Sequence, residues 1–362
     1  MKNCGKFLTF EHPLPGLSPH LHSVSAFDRR SRLRPTKSAS NAGGKVCWNF
    51  SPMGENRKGV FSFGKQMLIP VFIILLSLAS CNIGTRKSGD IEKDSVKKFT
   101  LTEVWRTDTV LLTPESVVYD RNRDVLYVSN VNQEPRMKDN NGFISKIDRN
   151  GKILALRWIE GLSSPKGLTI AGDTLYAADV DEVVMMDINK GEIIRRILVN
   201  GSRMLNDITS DSTGTIYFSD TDANRIYKLK NGKIDEWLAE GLLGPNGVLL
   251  KGDTLFLALQ GANNFASVEV AEKRFKVLTD SITHADGIAY AGIPGYYLVT
   301  DWDGEIFLIN PDCTRTSLLQ TKKKQINTAD IEYIPEYNLL LVPTFFGNCV
   351  IAYRLEEKAT GQ

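Results

Sequence analysis

Little in this sequence invites thiol or redox chemistry. Five cysteines occur in 362 residues, at Cys4, Cys47, Cys81, Cys313 and Cys349. Only the last two fall in the body of the chain, which excludes a disulfide framework and a CxxC metal cluster there. The two could pair with each other, but the preferred reading is two buried free thiols. Histidine is scarcer still: of four, three precede residue 23, and His284 stands alone in the body. That excludes a multi-histidine zinc site and any mechanism built on a histidine dyad. An excess of positive charge is also missing where it would count. Residues 1–81 hold 11 Lys or Arg against 3 Asp or Glu; removing these from totals of 44 and 42 leaves 33 against 39 for residues 82–362. An acidic body argues against nucleic acid as a partner, because phosphate neutralisation needs a basic face.

No apolar run reaches membrane-spanning length. The longest, Met67 to Ala79, has 13 residues, follows Arg57, Lys58 and Lys65, and ends in Leu78-Ala79-Ser80-Cys81. This resembles a bacterial signal peptide closing in a lipobox, in which the cysteine becomes the lipidated first residue of the mature chain. The resemblance divides the leader into a polar stretch over 1–52, read as disorder or an over-extended gene start, and a lipoprotein signal over 53–80. A tether follows over 81–97. It implies a membrane anchor on Cys81 at the cell envelope of a Gram-negative-type bacterium. Asn82 in place of aspartate points to the outer membrane.

What the body does have is a repeat. Met204-Leu205-Asn206-Asp207, Leu243-Gly244-Pro245-Asn246-Gly247 and His284-Ala285-Asp286-Gly287 stand forty residues apart. Glu115, Lys166 and Asp330 extend the series, with spacings of 51, 40, 40, 40 and 44 from Glu115 to Asp330. Each anchor opens an apolar run, and a second strand-like run follows, such as Val125–Ser129, Thr174–Ala178 or Thr215–Ser219. No amphipathic helix interrupts the pattern. A period of about 40 residues built from short strands predicts an all-β, six-bladed β-propeller over 98–357, with a short tail over 358–362. The sixth repeat offers only three runs after Asp330. Its missing strand is assigned to Phe99–Trp105 at the N-terminal end, which closes the ring.

In a propeller the first strand of each blade lines the channel, so the anchors converge on one axis. Two or more carboxylates with two carboxamides are hard oxygen donors. Three carboxylates and one lysine leave two negative charges, which a divalent cation would balance. The body is similar to the senescence-marker-protein/gluconolactonase (regucalcin-like) family. The residues that carry the likeness are Glu115 in Pro-Glu-Ser, Asn206 in Leu-Asn-Asp, Asn246 in Pro-Asn-Gly and Asp286 in Ala-Asp-Gly. The resemblance implies that these four hold Ca²⁺, or another divalent cation such as Mg²⁺, Mn²⁺ or Zn²⁺. It further implies that Asp286 acts as general base or nucleophile in hydrolysis of a small lactone or ester. Lys166, Asp330, His284, Trp302 and Phe345 are expected to line the channel or contact substrate, with the 130–141 segment as a lid. A competing reading is a non-catalytic, NHL-like propeller that binds a protein or glycan. No feature sets an oligomeric state.

Replacing Cys81 by Ala is expected to abolish incorporation of labelled palmitate and to release the protein from the membrane fraction. Undiminished labelling would remove the anchor assignment.

Overall fold

The computed structural model describes residues 98–358. The leader, the lipobox with Cys81 and the tether lie outside the described residues. Within them the chain is all-β: six four-stranded antiparallel sheets, with only three short 3-10 turns besides strands. No helix among the described residues is long and apolar enough to cross a membrane.

The first strands of the blades are β2 (Pro114–Asp120), β6 (Pro165–Ala171), β10 (Leu205–Ser210), β14 (Pro245–Lys251), β18 (Ala285–Tyr290) and β22 (Glu332–Ile334). Each touches the next, and β2 touches β22, so the inner strands form a closed ring. The second strands are buried almost throughout, β3 (Val125–Asn130) and β11 (Ile216–Asp220) at every residue. The outermost strands, such as β9 (Glu192–Leu198), are half exposed. This gradient accounts for the composition of the second strands. A sheet covered on both faces selects continuous apolar runs rather than alternation.

What covers those faces is the neighbouring blade. Tyr127 and Ile144 of blade one pack with Leu168, Leu175 and Val184 of blade two. Val117 and Leu126 of blade one pack with Leu339 and Leu341 of blade six. The four remaining clusters join blades two and three, three and four, four and five, and five and six. The core is therefore six layers between blades.

Closure follows the sequence reading. β1 (Phe99–Arg106) pairs antiparallel with β24 (Val350–Glu357), from Phe99 against Glu357 to Arg106 against Ile351. It occupies the outer edge of blade six, in the order β1, β24, β23 (Leu339–Pro343), β22. Phe99 is buried beside Tyr353 and Leu355 and meets the Tyr296 ring edge-on at 5.6 Å. One sequence expectation is corrected: Cys349 is buried, but Cys313 is only partly so, because it sits in the turn after β20 (Glu305–Ile309). Both are free thiols.

Phe99→Ala is expected to lower the unfolding free energy by about 3 kcal/mol in urea titration. Removing residues 98–106 should cost more, because it also exposes the edge of β24. An unchanged midpoint for the deletion would refute the closure.

Candidate functional site

The anchors owe their direction to an irregularity that recurs in five blades. The ladder between first and second strands slips after Pro114, Pro165, Leu205, Pro245 and Ala285, and resumes at Val117, Leu168, Ile208, Val248 and Ile288. Each slip is a β-bulge that holds the anchor: Glu115, Lys166, Asn206, Asn246 and Asp286. A bulge leaves one residue outside the pairing and re-aims its side chain. Close packing of the inner strands keeps the anchors near one another. A Cβ built on Gly247 would lie 2.0 Å from the Asp286 carbonyl oxygen, so no larger residue fits there.

All five anchors line one cavity of about 460 Å³. His284, Trp302 and Phe345 line it too, as does Gln260. The loops between second and third strands supply its rim, and the segment Gln133–Arg136 reaches over it from blade one. Arg136 forks onto Asp222 with contacts of 3.1 Å, and Lys138 meets Asp181 at 2.8 Å. Beneath, Lys166 Nζ donates to the Pro135 carbonyl at 2.7 Å and Ser164 Oγ to the Glu134 carbonyl at 3.3 Å. The lid expected from sequence is thus tied to blades two and three.

Asp330 is placed differently. It precedes β22 and is absent from the cavity wall. In blade three the Ser219 hydroxyl donates to the Asn246 carbonyl; in blade five the Thr300 hydroxyl donates to the Ala329 carbonyl. Ala329 therefore holds the anchor position of blade six, and Asp330 the one after it. Its counterpart is Asp207, and the two carboxylates behave alike. Asp207 accepts from the backbone N–H of Ile208 and Val248; Asp330 accepts from the Ile331 N–H and, at 2.6 Å, from the Ser116 hydroxyl. Both stitch neighbouring blades behind the wall. A one-residue offset in the longest inter-anchor spacing after blade one, 44 residues, is invisible without the hydrogen-bond pattern. Asp207, Arg136 and Gln260 were not singled out by sequence. For Asp207 a signal existed, since the other bulges carry Ser116, Gly167, Gly247 and Gly287 at that place.

Three of the wall oxygens are buried without a hydrogen-bond partner: Glu115 Oε2, Asn206 Oδ1 and Asp286 Oδ1. Asn206 turns its amide nitrogen to Thr221 Oγ1 at 3.0 Å, and Asn246 turns its own to Gln260 Oε1 at 3.0 Å. Both amides are thereby held in place, and the Asn206 carbonyl oxygen is left over. Leaving a buried acceptor unpaired costs about 1–3 kcal/mol, so such oxygens call for a partner from outside the chain, water or ion. Electrostatics agree. Burial, then the charges of Asp286 and Asp330, push the Glu115 pKa well up against the pull of Lys166. Burial and Asp330 do the same to Asp286, opposed by its hydrogen bond with Asn246. Burial also raises Asp330 to about 6 and depresses Lys166 to about 8. These donors fit a hard divalent cation.

At the rim, His284 Nδ1 lies 3.0 Å from Asp303 Oδ2, and Asp301 completes a tight trio. There a cation already sits: Lys322 Nζ contacts Asp301 at 2.7 Å. Trp302, Phe345 and Phe346 form an edge-to-face cluster with centroids 4.9 to 5.8 Å apart.

No family model matches the sequence, and no curated protein matches it. Solved structures share the fold. An auxiliary nutrient-binding protein from Bacteroides thetaiotaomicron superposes with a TM-score of 0.56 at 11% identity, covering 72% of this chain and 77% of that one. A catalytically inactive virginiamycin B lyase from Staphylococcus aureus with quinupristin gives 0.52 at 14%, covering 71% and 99%. A nidogen/laminin complex gives 0.50 at 16%, covering 60% and 84%. At such identities the likeness shows the propeller fold alone.

The raised carboxyl pKa values fix the sign of a pH dependence. The folded chain holds protons that the unfolded chain releases, so without metal its stability falls as pH rises from about 4 through 6, the span set by Asp330. A cation that binds only the folded state reverses the loss. The calcium-induced rise in melting temperature should therefore be larger at pH 7.5 than at pH 5.5, read by scanning calorimetry against EDTA controls. Equal midpoints with and without calcium at both pH values would exclude the cation site.

Proposed function

We propose that this cavity belongs to a divalent-cation-dependent hydrolase of lactones or related esters. The observation that carries the reading is the trio of buried, unpartnered oxygens, Glu115 Oε2, Asn206 Oδ1 and Asp286 Oδ1, on one cavity wall. With the Asn246 carbonyl they make four hard donors, the set expected for Ca²⁺. A bound cation would polarise the scissile carbonyl and lower the pKa of an adjacent water. The chain's own residues do the rest. Thr221 and Gln260 orient the two carboxamides. Asp286, its pKa raised by burial, takes the proton of the attacking water as general base. The lid, latched by Arg136 and Lys138, limits access of bulk solvent. Membership of the regucalcin-like family and lipid anchoring at the outer membrane through Cys81 are parts of this same proposal.

A second reading, a non-catalytic binding propeller, is favoured by Phe346, a residue 63% exposed at the rim. The two separate cleanly. A panel of lactones and aryl esters, assayed with EDTA and with restored calcium, should show cation-dependent turnover. Asp286→Asn should lower kcat by roughly 100-fold or more. Calcium binding with no turnover across the panel would favour the binding propeller, and absence of calcium binding would end the hydrolase reading.

A further inference from the structure

We propose that the cavity is built for an amphiphilic monoanion, whose carboxylate Lys166 receives while its ring or acyl part rests on Trp302, Phe345 and Phe346. The inference rests on the hydrolase reading and names the substrate class of that site.

Lys166 is the starting point. Its side chain is 3% exposed, yet it faces the cavity. Its ammonium donates to two backbone carbonyls, Pro135 at 2.7 Å and Ser164 at 3.3 Å, which leaves one of its three N–H donors. No carboxylate comes within ion-pair distance of it among the described residues. A buried charge is costly unless it is paired, and the depressed pKa of about 8 is the mark of that cost. Glu115 and Asp286, the buried carboxylates of the cavity wall, belong to the oxygen quartet, whose charge a divalent cation would offset. The cation left facing the cavity is then Lys166, and a monoanion is its complement. Arg136 does not compete for this role, because Asp222 already occupies its fork.

Topology supplies the second half. In a ring of six, blade two stands opposite blade five. Lys166 opens blade two; Trp302 follows β19 (Tyr297–Asp301) in blade five, and Phe345 and Phe346 lie in blade six. Trp302 thus stands across the channel mouth from the ammonium, with Phe345 and Phe346 beside it in the next blade and the quartet from blades one, three, four and five around the same cavity. A ligand that touches both must lie over the quartet. A cavity of about 460 Å³ suits such a molecule.

The test is calorimetric binding of phenylacetate and its neutral isostere phenylacetamide to the full-length protein. Wild type is expected to prefer the acid by about tenfold or more, the range of a charge-assisted hydrogen bond. Lys166→Met should erase the preference while the amide still binds, Lys166→Arg should keep part of it, and Trp302→Ala should weaken both probes alike. Should Lys166→Met fail to fold, Lys166→Gln carries the same comparison. A preference that survives loss of the ammonium, or no binding of either probe, overturns the inference. Calcium titration of the same samples keeps the readings apart. Failure to bind calcium defeats the hydrolase reading, whereas calcium binding without acid preference defeats only the substrate class.

Discussion

No blade of this protein has a core of its own. The buried apolar residues lie in clusters between one blade and the next, so the six layers form only when the ring is complete. Tyr127 and Ile144 need Leu168 and Val184, just as Val117 and Leu126 need Leu339 and Leu341. This explains why the chain spends its first described strand on the last blade. Without β1, the outer edge of β24 would be open and Phe99 would leave its place beside Tyr353. It also explains how the ring tolerates a polar channel. Stability comes from the layers between blades, and the inner strands are free to carry charge.

The charge they carry is crowded. Glu115, Asp286, Asp207 and Asp330 are all buried, and burial dominates each upward pKa shift. Two of them, Asp207 and Asp330, spend their oxygens on backbone N–H groups and a hydroxyl between blades. The other two keep an oxygen unpartnered toward the cavity. Neighbouring carboxylates thus divide into a pair that ties blades together and a pair that keeps an oxygen free of protein partners. The division is set by whether the residue stands at the bulge or one place after it.

That one-place distinction marks the limit of what the sequence makes legible. The forty-residue spacing of Asn206, Asn246 and Asp286 reveals the blades, because repeated strands impose repeated turns. Polar side chains at equivalent places reveal the ring, because an apolar strand does not otherwise begin with a charge. Asp330 is misplaced by the same logic, since strand periodicity cannot tell a bulged residue from its successor. Arg136 and Gln260 are hidden for another reason. They reach the cavity through loop conformations closed by distant contacts, Arg136 with Asp222 and Gln260 with Asn246. Spacing along the chain carries no record of those contacts.

The recurring bulge has a consequence for how such a site changes over time. Within this one chain the same slipped register presents a glutamate, a lysine, two asparagines and an aspartate, at Glu115, Lys166, Asn206, Asn246 and Asp286. The backbone is indifferent to which side chain it displays there. Each anchor can therefore be exchanged as a single unit without repacking a blade, and the layers between blades tolerate the exchange because none of the five contributes to them. Chemistry and architecture thereby rest on different residues of this fold, the five bulge positions facing the cavity and the layers between blades holding the ring.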